Sequence, residues 1–184
     1  MEIPEHLNPQ LFALLPEKPV LLVLDFDGVI TDDRVHVTED GKESVSCTRG
    51  DGMGTTLLHR AGFPVLVLST EKNPVVAARC AKLKLECIQG VSDKTLEFRR
   101  LLTDRGIDPA GVIFVGNDVN DMGCARIAGA SFSVADGHPM LKRVAKGVLT
   151  RPGGHGAVRE IAELILTRIG LEIVYNASDL AGSS

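Results

Sequence analysis

Residues 20–28 read Val20-Leu21-Leu22-Val23-Leu24-Asp25-Phe26-Asp27-Gly28: an unbroken apolar run, then two acids one residue apart and a glycine. An apolar run without alternation is expected of a strand covered on both faces, as in the middle of a parallel sheet. The same form returns in Pro64-Val-Leu-Val-Leu-Ser69 and Gly111-Val-Ile-Phe-Val-Gly116, each leading into polar residues. Around these runs, apolar residues recur at helical spacing over about 53–61, 73–84, 93–105, 120–128, 138–145 and 157–169. Alternating strand and helix predicts an α/β fold: a doubly wound, Rossmann-like parallel sheet with helices on both faces and right-handed crossovers. Ligands of such sheets bind beyond the carboxyl ends of the strands, which is where Asp25 and Asp27 fall.

One segment departs from this rhythm. Arg34 to Cys47 alternates apolar and polar residues around Asp40-Gly41, a hairpin signal, and predicts a two-stranded flap. The 184 residues suit one domain, with its core over about 20–169 and a frayed, flexible tail over about 172–184. A net charge of −4 and the lack of any long Lys/Arg run exclude the electrostatic footprint of a nucleic-acid or anionic-membrane binder. No apolar stretch reaches the roughly 18 residues that span a bilayer, and the N-terminal residues lack the pattern of a secretory signal, so the expectation is a cytoplasmic protein. Cys47, Cys80, Cys87 and Cys124 are scattered without zinc-site spacing and read as reduced packing residues.

The chemistry is read from the strand tips. Two carboxylates presented together at the ligand edge of a sheet call for positive compensation, and a hard cation such as magnesium is the simplest partner. A second acidic patch, Gly116-Asn117-Asp118-Val119-Asn120-Asp121, follows the strand at 112–115 and can bring Asp118 to the cation held by Asp25. Ser69 can offer its hydroxyl and backbone N–H to a phosphate oxygen, and Lys94 a mobile positive charge to the same phosphate. Asp121 has two readings, as a partner that orients Lys94 or as a residue favouring a helix N-terminus. His59 and His138 read as packing or surface residues, while His36 on the flap and His155 in a glycine-rich segment are better placed for substrate.

Taken in order, these segments resemble the four motifs of the haloacid dehalogenase superfamily: Asp25-x-Asp27-Gly28-Val, Ser69 after a strand, Gly90-Val-Ser-Asp-Lys94, and Gly116-Asn-Asp118-x-x-Asp121. The resemblance covers about residues 20–169 and implies a phosphatase in which Asp25 attacks phosphorus and forms an aspartyl-phosphate. It gives Asp27 the role of acid and then base. Magnesium would be held by the Asp25 carboxylate, the Asp27 backbone carbonyl and the Asp118 carboxylate, with Ser69 and Lys94 on the phosphate. Phosphoryl transfer spreads negative charge over equatorial oxygens, so these groups are of the kind its transition state needs. Gly28 lets the chain turn beside the substrate.

Only about 40 residues separate Gly28 from Ser69, room for a hairpin and a helix but not for the cap domain of larger members. A capless site is open in one chain, which implies closure by a neighbouring subunit, and the look-alike capless enzymes are tetramers. Those look-alikes act on 3-deoxy-manno-octulosonate 8-phosphate or on 9-phosphates of nonulosonic acids. The segments Asp32 to Val37, Arg49 to Gly54 and Arg151 to Arg159 resemble that subgroup. Octulosonate enzymes usually read Thr-Gly-Arg at the second motif, whereas Ser69-Thr70-Glu71 is similar to the nonulosonate branch and to the phosphatase-like domain of acylneuraminate cytidylyltransferases.

Exchanging a cation for an anion at the leaving-group end changes what is tolerated there, so the expected substrate is a nonulosonate 9-phosphate, with octulosonate 8-phosphate as the alternative. Arg49 or Arg151 is the expected receptor for the sugar carboxylate, in part from a neighbouring subunit. Two other classes are weighed. A phosphate-accepting receiver domain places its acid pair and phosphorylated Asp on different strands, unlike Asp25-x-Asp27. An idle oligomerisation partner of a sugar-activating cytidylyltransferase would not need the full set of catalytic residues.

Overall fold

The computed structural model describes residues 3–171; the expected tail lies outside the described residues. Six strands, β1 (Leu21–Leu24), β4 (Val65–Leu68), β5 (Glu86–Ile88), β6 (Val112–Gly116), β7 (Ala130–Ser133) and β8 (Gly147–Val148), form one parallel sheet in the order β5-β4-β1-β6-β7-β8. β1 lies inside it, with Leu22 opposite Val65 on one side and Ile113 on the other. All four of its residues are buried, as an unbroken apolar run requires.

Alternate residues of β1 feed two cores. Leu22 and Leu24 join one cluster with Leu58 of α2 (Arg49–Arg60), Val76 and Cys80 of α3 (Val75–Leu83), and Ile161 and Ile165 of α7 (Ala157–Arg168). A short α1 (Pro9–Ala13), capped by Asn8, adds Leu11 and Phe12 to the same face. Leu21 and Val23 join the other cluster with Phe98 of α4 (Lys94–Asp104), Cys124 of α5 (Met122–Ile127) and Leu141 of α6 (Pro139–Val144). Phe98 meets Phe114 of β6 edge to face, with ring centroids 5.8 Å apart. The sheet is therefore doubly wound, with helices on both faces.

The flap is present: β2 (Thr31–Val37) and β3 (Glu43–Cys47) pair antiparallel, and Gly41 turns between them at φ 78°. The main revision concerns α2, which begins at Arg49 rather than near residue 53. Its first turns carry Gly50, Gly52 and Gly54, which weaken the helical pattern in sequence but permit close packing. A Cβ at Gly54 would lie 2.9 Å from the Cα of Arg159 in α7. Thr48 starts the helix by accepting the N–H of Asp51.

Candidate active site

The ends of β1, β4 and β6 deliver the expected residues to one edge of the sheet. Asp25 follows Leu24, and its N–H still donates to Val115 O in the sheet ladder at 3.0 Å. Its Oδ1 accepts the N–H of Phe26 and an N–H of Lys94 Nζ, both at 2.7 Å. Lys94 also donates to Asp121 Oδ1 at 2.8 Å, and it is 3% exposed. It is thus pinned between two buried acids, whereas the expectation from sequence is a mobile charge.

Asp121 serves both roles left open by the sequence. Its Oδ1 holds Lys94, while Oδ2 accepts the N–H groups of Asn117 (2.9 Å) and Asp118 (3.3 Å) and so shapes the loop after β6. That loop packs tightly on Gly116 and Gly28: a Cβ at Gly116 would meet Asp121 Oδ2 at 2.4 Å, and one at Gly28, where φ is +70°, would overlap the Asn117 side chain. Asp118 is exposed, and its Oδ1 accepts the N–H of Val119 at 2.7 Å.

Ser69 is buried at the tip of β4. Its backbone N–H donates to Ile88 O at 2.9 Å, so it is committed to the sheet and does not serve phosphate as expected. The hydroxyl, whose oxygen accepts the N–H of Glu71 at 3.0 Å, still has its own hydrogen to donate. Thr70 beside it is exposed. Glu71 turns back on its own loop, with Oε1 accepting the N–H groups of Lys72 and Asn73 at 2.6 and 2.7 Å.

Electrostatically the site is crowded with acids. Burial first, and then Asp121, push the Asp25 carboxyl up to about 7 against the pull of Lys94. Burial, then Glu71 and Asp33, raise Asp27. Burial works against the Lys94 ammonium, but Asp25 and Asp121 more than offset it and hold the lysine charged. Two buried carboxylates sharing one lysine leave the centre short of positive charge.

Two cavities flank Asp27 and Asp118. One, of about 280 Å³, is lined by Gly28, Asp33, Asn117, Asp118, Asp136 and His138. The other, of about 190 Å³, lies between the flap (Arg34, Glu43, Val45) and the loop leading into α3 (Glu71, Asn73, Val75), with Asp27 on its wall. His138, expected to be a packing or surface residue, is exposed but also lines the first cavity, and its Nδ1 accepts the N–H of Met140 at the start of α6.

Neither expected carboxylate receptor reaches these cavities within one chain. Arg49 is exposed on the first turn of α2, and Arg151 lines a separate cavity of about 550 Å³ with His6, His155 and Arg159. His36 sits exposed on the flap opposite Ser44, and His59 is exposed on α2. The cysteines are free, and burial pushes the Cys80 and Cys124 thiols up to about 12.

Two residues not singled out from sequence support the site. Asp51 is 2% exposed and accepts the N–H groups of Gly156 (3.0 Å) and Arg159 (2.9 Å), capping α7 from α2. Asp136 accepts the N–H of Gly153 at 2.9 Å, and Gly154 donates to Val29 O at 2.9 Å, so the 151–156 loop backs the Asp25–Gly28 turn. Their partners lie far away in sequence, and only the surplus of glycine in 152–156 hinted at close packing.

The oxygen donors fit a hard divalent cation: Asp25 and Asp118 carboxylates and the Asp27 carbonyl lie on adjacent strand ends, since Leu24 pairs with Val115. Among the described residues no three His, Cys, Asp or Glu side chains form a metal cluster.

No family model matches the chain. It is 36% identical over 135 residues, 73% of this chain and 72% of the relative, to the 3-deoxy-D-manno-octulosonate 8-phosphate phosphatase of Escherichia coli K12. A haloacid dehalogenase family hydrolase from Streptomyces avermitilis superposes with TM-score 0.81 at 45% identity, covering 86% of this chain and 92% of that one. The Moraxella catarrhalis 3-deoxy-D-manno-octulosonate 8-phosphate phosphatase, solved with magnesium, phosphate and 3-deoxy-D-manno-octulosonate, superposes with TM-score 0.81 at 28% identity over 86% and 91% of the two chains. With this degree of likeness over most of its length, and with four motifs converging on one sheet edge, the chain belongs to the haloacid dehalogenase superfamily, among the hydrolases related to 3-deoxy-D-manno-octulosonate 8-phosphate phosphatase.

Proposed function

We propose that the chain is a magnesium-dependent phosphomonoesterase that hydrolyses a sugar-acid phosphate, a nonulosonate 9-phosphate before all others. The observation that carries the substrate reading is Glu71, an anion beside Asp27 in the leaving-group cavity, where a guanidinium is usual in the octulosonate enzymes it resembles. Octulosonate 8-phosphate is the second reading, favoured by the 36% identity to the E. coli phosphatase.

In this reading the Asp25 carboxylate attacks phosphorus in line, forming an aspartyl-phosphate as the bond to the sugar oxygen breaks. Asp27 gives its proton to that oxygen; burial and nearby acids raise its carboxyl, which favours the protonated form needed for this step. Asp27 then takes a proton from the water that attacks the phosphoenzyme, releasing phosphate and restoring Asp25. The Ser69 hydroxyl and Lys94 hold the phosphoryl oxygens, and Asp121 fixes Lys94. Asp25, Asp118 and the Asp27 carbonyl would hold magnesium, which when bound neutralises phosphoryl charge and brings the attacked phosphorus close to Asp25. The substrate's carboxylate lies outside the acid-lined cavity, and a neighbouring subunit of a homotetramer supplies its receptor.

The test is phosphate release from two nonulosonate 9-phosphates and from octulosonate 8-phosphate, each with magnesium, with chelator, and with the Asp25→Asn variant. Magnesium-dependent turnover that favours the 9-phosphates and vanishes in the variant is expected. Preference for the octulosonate overturns the reading of Glu71. Absence of turnover on all three points to an idle partner of a sugar-activating enzyme.

A further inference from the structure

Asp27 lies in a single turn of chain that the Phe26 carbonyl winds up by accepting the N–H groups of Val29, Ile30 and Thr31 at 3.3, 2.9 and 3.1 Å. Thr31 closes the turn and is 0% exposed. Its Oγ1 reaches back to accept the Gly28 N–H at 3.1 Å, and it also accepts the N–H of Asp33 at 3.3 Å, which engages both acceptor positions of the hydroxyl. The Gly28 nitrogen belongs to the same peptide group as the Asp27 carbonyl. No peptide bond among the described residues is cis, so this group is planar and trans, with its N–H and C=O pointing in opposite directions. Holding the one therefore aims the other, away from Thr31.

The support behind this contact is rigid. Thr31 pairs with Cys47 at the base of the flap, and a Cβ on Gly154 would lie 2.5 Å from the Thr31 carbonyl carbon, so the 151–156 loop leaves Thr31 no room to retreat. Gly28 has no side chain to steady it and stands at φ 70°, so the orientation of its peptide depends on what its N–H touches. We propose that Thr31 is a positioning residue for the metal: its buried hydroxyl fixes the Asp27–Gly28 peptide so that the Asp27 carbonyl presents its oxygen to the cation shared with Asp25 and Asp118. This rests on the metal site of the phosphatase reading above. Asp25 needs no such help, since β6 and Lys94 hold it. Exchange of the hydroxyl for a methyl group leaves the buried Gly28 N–H without an acceptor, and the peptide turns to find one.

The test measures manganese binding through the electron paramagnetic resonance of the free ion, with magnesium as competitor, in wild type, Thr31→Val, Thr31→Ala and Thr31→Ser. Loss of an outer partner of a metal ligand costs about 10-fold or more in affinity, and this is expected of Thr31→Val and Thr31→Ala, the second serving if the first does not fold. Thr31→Ser, which keeps the acceptor oxygen, should bind as wild type does. Partial unfolding lowers the number of sites per chain and not the affinity of each, so a merely structural role for Thr31 would leave the dissociation constant in place. That result overturns the proposal, as does an equal loss in Thr31→Ser. Wild type that binds neither ion overturns the metal site and the role of Thr31 together. Wild type that binds metal but hydrolyses none of the three phosphate esters overturns the phosphatase reading alone, and the affinities still decide the role of Thr31.

Discussion

Asp51 offers a sharp test of how the site is supported. It lies in the first turn of α2, yet its carboxylate accepts two N–H groups at the start of α7, from Gly156 and Arg159, and the hydroxyl of Thr48 at 2.6 Å. Gly156, the residue before α7, has φ 107° and no side chain, so α7 has no cap of its own and takes one from another helix. Asp51→Ala leaves two N–H groups without an acceptor in a buried place, at roughly 1–3 kcal/mol each, softened by water that enters the gap. It also removes a negative charge from a helix N-terminus, worth up to about 1 kcal/mol. A loss of about 3–5 kcal/mol is expected, which at roughly 2–4 °C per kcal/mol for a chain of this size lowers Tm by about 6–20 °C. Asp51→Asn keeps one oxygen acceptor and should lose about half as much. Thermal and urea unfolding followed by circular dichroism measure both variants, and a fall in Tm below about 2 °C for Asp51→Ala would refute the assignment.

The remaining expectations are more local. Asp25→Asn should lower kcat by at least about 10³-fold while leaving the fold intact, as removal of a nucleophile does, and phosphate release reads this directly. Chelator should abolish phosphate release, and added magnesium should restore it; turnover that survives exhaustive chelation would rule out the metal-dependent reading. In Gly153→Ala the new Cβ would lie 1.8 Å from Gly28 O, so the turn next to Asp27 must shift. Overpacking of this kind costs about 1–3 kcal/mol, and kcat should fall at least about tenfold, measured beside Tm on the same sample. Asp121→Asn removes the charge that holds Lys94 and should lower kcat about 10²-fold, an effect that retained activity with normal KM would disprove.

The parts of the fold that could be read from sequence are those whose burial leaves a local trace. β1, β4 and β6 are buried on both faces and spell this as apolar runs, whereas β7 mixes Ala130 and Phe132 with the buried hydroxyls of Ser131 and Ser133. β5 and β8 are three and two residues long, too short to show a period. The beginning of α2 is hidden because its glycines lower helix propensity, and their use, contact with α7, is tertiary. In the same way Asp25, Asp118 and Ser69 announce themselves by following strands, while Asp51 and Asp136 act through partners more than 100 and 17 positions away. The commitment of the Ser69 N–H to Ile88 was invisible because β5 itself was.

The place of β1 in the sheet bears on how the chain comes to be folded. The strand that ends in Asp25 is made early, but its two neighbours are centred on Val65 and Ile113, so its second edge stays unpaired until some 90 further residues have been made. At roughly 5–20 residues per second, synthesis leaves that hydrophobic edge open for on the order of 5–20 s. Pairings so distant also slow refolding of the free chain, because loop closure precedes any gain from contact. The residues best suited to chemistry therefore sit on a segment with long exposure to misassociation, and soluble yield should depend on chaperones and temperature more than equilibrium stability alone would suggest.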